Sequence, residues 1–129
     1  MKMQKGMEEK HSGDRLADRM LQFAADIIRL VVKLPDNPAG KLVTVQILKS
    51  GTSSGANYEE ARGAESRADF IHKLGIVLKE LNETRFWLRL IKISKMLSAK
   101  DIDAPLSECE QLCNIIGKSV FTARKNRNK

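Results

Sequence analysis

From residue 16 onward, apolar side chains recur every third or fourth position: Leu16, Ala17, Met20, Phe23, Ala24, Ile27, Ile28, Val31 and Leu34. That spacing marks one face of an α-helix. The stripe stops at Leu34-Pro35, because proline disfavours helix in the residue before it. Residues 1–13 are polar, contain glycine and show no period, so they read as a disordered leader.

The segment "PDNPAGK" punctuates the pattern, and its Asn37-Pro38 pair matches an N-cap followed by proline at the first helical position. Next comes "LVTVQIL", which fits two periods. Val43, Val45 and Ile47 alternate with Thr44 and Gln46 as in a strand, whereas Leu42, Val45, Leu48 and Thr52 fit a helix equally well. The helix start and the lack of a partner strand favour a second helix, since an isolated strand leaves its backbone unsatisfied.

A third helix opens at "ESRADFIHKL", where Ser66 followed by Asp69 has capping-box spacing with the shorter acid. Its stripe comprises Phe70, Ile71, Leu74, Val77, Leu78, Leu81, Leu88 and Ile91, and is expected to end near Leu97. At 1.5 Å per residue, a helix over residues 66–97 would be about 47 Å long. After "SAKDIDAP", a fourth helix carries Leu106, Cys109, Leu112, Cys113, Ile116, Val120 and Ala123, with Pro105 expected near its first turn. Four amphipathic helices with short connections predict an all-α, antiparallel up-down-up-down four-helix bundle over residues 14–124, followed by a basic tail at 125–129.

The passage "KSGTSSGANYEEARG" tests that architecture. As a phosphate loop it lacks the Gly-Lys-Ser/Thr ending, and as a linker it lacks polar neighbours on both sides. Within a helix, each glycine costs ~1 kcal/mol relative to alanine. Close packing against a neighbouring backbone is the physical return for a face of Gly51, Ser54 and Gly55.

Composition agrees with a single helical domain: 129 residues, 42% apolar and only 5% aromatic. The formal net charge is +7, from 23 Lys and Arg against 16 Asp and Glu, which suits polyanionic partners or simply a soluble helical surface. No stretch resembles a secretion signal or reaches the ~20 uninterrupted apolar residues of a membrane span, so a cytoplasmic protein with no membrane partner is expected. Cys109 and Cys113, one turn apart, read as reduced, buried small hydrophobes.

Enzymatic patterns are missing. A di-metal bundle needs two Glu-x-x-His motifs with two further Glu, whereas His72 is the only histidine outside the leader, preceded by Asp69. No nucleophile elbow appears and Cys109 lacks a base on its own helix, so neither catalytic activity, metal nor cofactor is expected. Asn57 and Glu60, one turn apart, are read as polar bonds fixing helix ends or subunit contacts.

The run "QILKSGTSSGANYEEA" followed by "SRADFIHKLGIVLKELNETRFWLRLI" resembles the bacterial four-helix bundle family first noticed as products of intervening sequences inserted in 23S ribosomal RNA genes. Ser50, the small tract ending in Ala56-Asn57, Glu60, Ser66, Asp69 and Phe70, with the Glu80-Leu81 region, carry the likeness over roughly residues 20–120. The family commonly has glycine after the Glu. Here it is Ala61, so the second helix is expected to run on to Gly63. The resemblance implies a homopentameric ring without assigned enzymatic activity. The chain is also similar to the accessory variability determinant of diversity-generating retroelements, which implies a reverse-transcriptase-type protein partner and nucleic-acid binding.

Phe86, Leu90, Ile93 and Leu97 form a second apolar stripe on the third helix, directed away from Leu81, Leu88 and Ile91, and are candidates for an oligomer interface. Between the stripes, Arg85, Arg89 and Lys92 form a basic band that either tracks phosphates or pairs with Glu59, Glu60, Glu80 or Glu83. Lys118, Arg124, Lys125, Arg127 and Lys129 have no acidic neutraliser and are stronger candidates for RNA or DNA contact. Trp87, Tyr58 and the phenylalanines lie at core-like positions, so base stacking is not expected. The leading expectation is a non-enzymatic, ring-forming scaffold for nucleic acid or a protein partner; the alternative is a purely structural oligomer.

Overall fold

Asn37 decides between helix and strand for residues 42–48. In the computed structural model, which describes residues 12–127, Asn37 has extended backbone and its Oδ1 accepts from the Gly40 amide at 2.8 Å. With Pro38 in the first turn, this side chain satisfies a donor that the new helix leaves open. The chain folds into four helices: α1 Ser12–Val31, α2 Pro38–Arg62, α3 Arg67–Ile93 and α4 Ala99–Arg127. No strand occurs among the described residues. None of these helices is long and apolar enough to cross a membrane.

The helices run antiparallel, as the residue numbers of touching groups show. Ion pairs join Arg19 to Glu108 at 2.7 Å and Lys33 to Asp101 at 3.0 Å, so α1 ascends as α4 descends. Lys92 reaches Asp103 at 2.9 Å and Cys109 Sγ donates to Leu81 O at 3.4 Å, giving the same opposition between α3 and α4. Gly51 faces Ile27 and Gly55 faces Met20 across the α1–α2 contact. Consecutive helices are neighbours, and α1 closes the square against α4.

The small-residue tract is continuous helix. A Cβ added at Gly51 would lie 3.0 Å from Ile27 Cγ2, and one at Gly55 would lie 3.5 Å from the Met20 carbonyl oxygen. Gly51 therefore leaves Ile27 of α1 no room for an added side chain, whereas Gly55 has space for an ordinary contact with the α1 backbone. The face of α2 turned inward is Val43, Ile47, Ser50, Gly51, Ser54, Tyr58 and Ala61. Leu42 and Val45, expected on the buried face, are exposed. The inward arc is centred on the small tract, which places the bulkier pair outside it. Phe23, Met20 and Ile27 of α1, Leu74, Leu81 and Leu88 of α3, and Ile102, Leu112 and Ile116 of α4 complete the core.

Helix ends follow local chemistry. The Gly63 amide donates to the Glu59 and Glu60 carbonyls, closing α2 after Arg62, so the helix runs on past Ala61 to Gly63 as expected. Ser66 has extended backbone and its Oγ accepts from the Asp69 amide at 3.0 Å, starting α3. That helix ends at Ile93 rather than near Leu97, about 40 Å from its start at 1.5 Å per residue. Lys95 adopts φ 61, with its amide bonded to Lys92 O at 3.2 Å and the Met96 amide to Ile91 O at 3.1 Å. These are the two bonds of a Schellman cap. Ser98 carbonyl accepts from Asp101 and Ile102 amides, so α4 begins at Ala99. Pro105 consequently lies inside the helix rather than in its first turn. At the other end α4 continues to Arg127, so Arg124 and Lys125 are helical.

Candidate nucleic-acid interface

Because α3 and α4 are antiparallel, the start of one lies beside the end of the other. The Ser66 cap fixes where α3 begins and therefore places Arg67 against the last turns of α4. A shallow groove of about 400 Å³ is lined by Arg67, Lys118, Ser119, Thr122, Ala123 and Asn126. A second, of about 430 Å³, lies between Arg124 and the α3 residues His72, Gly75 and Lys79. Gly75 matters there: its missing side chain leaves room for the Arg124 guanidinium, whose Nη2 would lie 3.6 Å from an added Cβ.

The charge balance at this end is one-sided. Residues 114–126 of α4 contain no Asp or Glu, and residues 67–79 of α3 contain only Asp69. Asp69 is engaged by Lys73 at 3.5 Å. Arg67, Lys79, Lys118, Arg124 and Lys125 make no ion pair among the described residues. Arg67 and Lys79 were not among the sequence candidates, and the signal joining them to the tail is the antiparallel order itself. The side chain of Arg127 and all of Lys129 lie outside the described residues.

The predicted band of Arg85, Arg89 and Lys92 is divided. Lys92 is paired with Asp103 across the α3–α4 contact. Arg85 is half-buried, with its charge acting on the two cysteines, while Arg89 is exposed. Cys109 and Cys113 are both buried free thiols. The hydrogen bond with Cys113, with burial, pushes the Cys109 thiol up; that same bond, aided by Arg85, draws Cys113 down. No group of His, Cys, Asp and Glu suited to a metal ion occurs among the described residues.

The predicted apolar stripe is also divided. Phe86 and Ile93 are exposed, but Leu90 and Leu97 pack against the core. Phe86 meets Trp87 edge to face at a centroid distance of 4.9 Å. A different apolar groove, of about 440 Å³, runs between α1 and α2, lined by Leu21, Ala24, Ile28, Thr52, Gly55 and Ala56 together with Ala17, Asp18 and Glu59. Sequence reasoning folded Ala24 and Ile28 into the core stripe. The heptad spacing of Leu21 and Ile28 was the signal of a second seam.

The motif residues are structural in different ways. Ser50 is fully buried and hydrogen-bonded to Thr84. Asn57 Nδ2 donates to Ser53 O at 2.8 Å along its own helix, and Glu60 is exposed, so the two do not converge. Ser66 and Asp69 form the α3 start, and Phe70 packs against the core.

Comparison with curated proteins gives no match. Four chains of known structure match. One is described as a protein with unknown function from the S23 ribosomal protein family, from Bacteroides thetaiotaomicron. It is 36% identical, with a TM-score of 0.75 over 81% of this chain and 97% of that one. The sequence model of the 23S rRNA-intervening sequence proteins matches residues 15–118. On that match, over most of its length and with the four-helix architecture in agreement, the chain belongs to the 23S rRNA-intervening sequence protein family.

Proposed function

We propose that this protein is a non-enzymatic, self-associating helical scaffold of the cytoplasm that holds nucleic acid by its phosphates. The observation that carries the reading is the end of the bundle where Arg67, Lys79, Lys118, Arg124 and Lys125 collect without acidic partners. Cations spaced along two grooves suit a chain of phosphates, whose bound counterions are released on contact. The cations of this end suit phosphates rather than base edges, so the contact is led by the backbone of the nucleic acid.

Titration of fluorescently labelled RNA and DNA at two salt concentrations tests this reading. With about four phosphates neutralised, affinity falls roughly 100-fold between about 50 and about 200 mM salt. Replacing Lys118, Arg124 and Lys125 with Gln lowers both the affinity and the slope. Absence of binding at the lower salt, or a flat salt dependence, overturns it.

A second reading is a structural oligomer with no polyanion to hold, assembled through the α1–α2 groove. Leu21 is 69% exposed there and Ile28 lies beside it. Apolar seams of this kind are the usual material of subunit contacts. Self-association belongs to both readings, and the family resemblance implies a ring of five. Only the nucleic-acid titration separates them.

A further inference from the structure

We infer that Phe121 is a platform on which an unpaired base stacks, so that the nucleic acid held at this end of the bundle is single-stranded. The inference rests on the proposed function and narrows its ligand. Phe121 is 69% exposed, although the phenylalanines are expected at core-like positions from the sequence. Val120 takes the core position instead, and the next residue is turned about 100° away from it.

Two phenylalanine rings are exposed among the described residues, Phe86 and Phe121. Phe86 is engaged edge to face by Trp87 and has Glu83 one turn before it. Phe121 has no ring partner among the described residues, with Lys118 one turn before it and Lys125 one turn after. It borders an open groove of about 450 Å³ shared with Asn114, Gly117, Lys118 and Thr122. Gly117 is one turn below the ring, and a Cβ added there would meet only Leu78 Cδ1, at 4.0 Å. The missing side chain leaves space beside the ring for a flat group. The Asn114 amide, which can donate and accept, is a further turn along the same groove.

An aromatic face bracketed by cations, within a basic groove, is how single strands are held without sequence preference. Duplex bases hide their faces in the stack and cannot use it. A neutral apolar partner would leave Lys118 and Lys125 unanswered, whereas phosphates flanking a stacked base answer both.

The test uses the full-length protein, labelled oligouridylate and oligothymidylate, and a duplex of equal length, with fluorescence anisotropy as the readout. Base face and phosphate are common to RNA and DNA, so both single strands bind, and both bind more tightly than the duplex. Phe121→Ala weakens single-strand binding by roughly tenfold or more, leaves the salt slope unchanged and leaves duplex binding unchanged. Phe121→Trp retains binding. Because Phe121 is exposed, the melting temperature of each variant stays that of the parent. Equal affinity for single strand and duplex, with Phe121→Ala silent, overturns this inference and leaves the proposed function standing. Failure of every nucleic acid to bind removes both. A Phe121→Ala variant that lowers the oligomeric mass assigns the ring to a contact between copies and also overturns the inference.

Discussion

Ser50 and Thr84 share a hydrogen bond of 2.8 Å between α2 and α3, and neither residue has any exposed surface. The Thr84 hydroxyl also lies 2.8 Å from the Glu80 carbonyl oxygen. Two short hydroxyl side chains can meet in this way only if the helices are close. The small face of α2 makes them close on this side, as Gly51 does beside Ile27 on the α1 side. The pair also gives α2 and α3 a fixed level relative to each other, which in turn sets where the Ser66 start of α3 falls beside α4.

Thr84→Val keeps the volume but strands the Ser50 hydroxyl in the core. The expected loss is about 1–3 kcal/mol, the cost of an unsatisfied buried polar group. Ser50→Ala combined with Thr84→Val should cost less than the sum of the single changes, because neither is left wanting a partner. Urea denaturation of the four proteins measures the coupling, and strict additivity would show that the two hydroxyls act independently.

Two glycines of α2 should respond in opposite directions to alanine. At Gly40 an added Cβ would collide with the Pro35 carbonyl oxygen, so the turn before α2 must move. Gly40→Ala is expected to destabilise by about 1–3 kcal/mol. At Gly55 the nearest atom is 3.5 Å away, which is ordinary contact, and Gly55→Ala should stabilise by up to about 1 kcal/mol through helix propensity. Denaturation midpoints that shift the same way for both would contradict the space argument.

The elements most legible in the sequence are those set by neighbouring residues. Asn37-Pro38 and Ser66 with Asp69 state two helix starts in a few letters, and both caps form as written. What depends on distant contacts was harder to read. Leu42 and Val45 have helical spacing as good as that of Val43 and Ile47, and only the approach of α1 and α3 to the small tract selects the latter pair. Leu97 continues the α3 stripe in sequence, but the cap at Lys95 turns the chain first. Phe121 differs from a core position by one residue of register, which pattern alone cannot resolve next to Val120. For the candidate site, the basic run of α4 was visible, while its junction with Arg67 and Lys79 required the packing of two helices.

Lys95 offers a direct test of the α3 end. It is the one non-glycine residue with positive φ among those described, at 61°. A side chain in that region costs about 1–2 kcal/mol, and glycine is the usual occupant of this cap position. Lys95→Gly is therefore expected to raise stability by about 1 kcal/mol, less whatever the freer unfolded chain takes back. Thermal melting of the variant decides it, and a lowered melting temperature would count against the capped geometry.

Tyr58 should make stability fall in alkali. Burial, with a smaller contribution from the charge of Glu59, raises its phenol above the ordinary value. The folded protein thus holds the proton more tightly than the unfolded chain does. The contribution is fully present below the unfolded pKa of about 10 and is lost as pH rises through the folded value. Tyr58→Phe has no proton to lose, so its melting temperature should decline less steeply than that of the parent above about pH 10. Parallel curves for the two proteins would leave the phenol without a role in the alkaline limb.

Leu21 is the residue on which the α1–α2 groove is best tested. It is 69% exposed, so an acidic replacement disturbs little within one chain. In an assembly that covers the groove, the same carboxylate would be buried against Ala24, Ile28 and Ala56, and burying an unpaired charge costs several kcal/mol. Leu21→Glu is therefore expected to reduce the mass in solution to that of the 14.5 kDa chain while retaining the helical signal. Val32 is also exposed but does not line the groove, so Val32→Glu serves as the control and should retain the assembly mass of the parent. Light scattering during size-exclusion chromatography reads all three proteins. A parent that itself runs as a single chain overturns the proposed self-association; if the parent is larger and Leu21→Glu elutes with it, the proposed contact lies elsewhere, and the exposed Phe86 and Ile93 of α3 become the surface to change next.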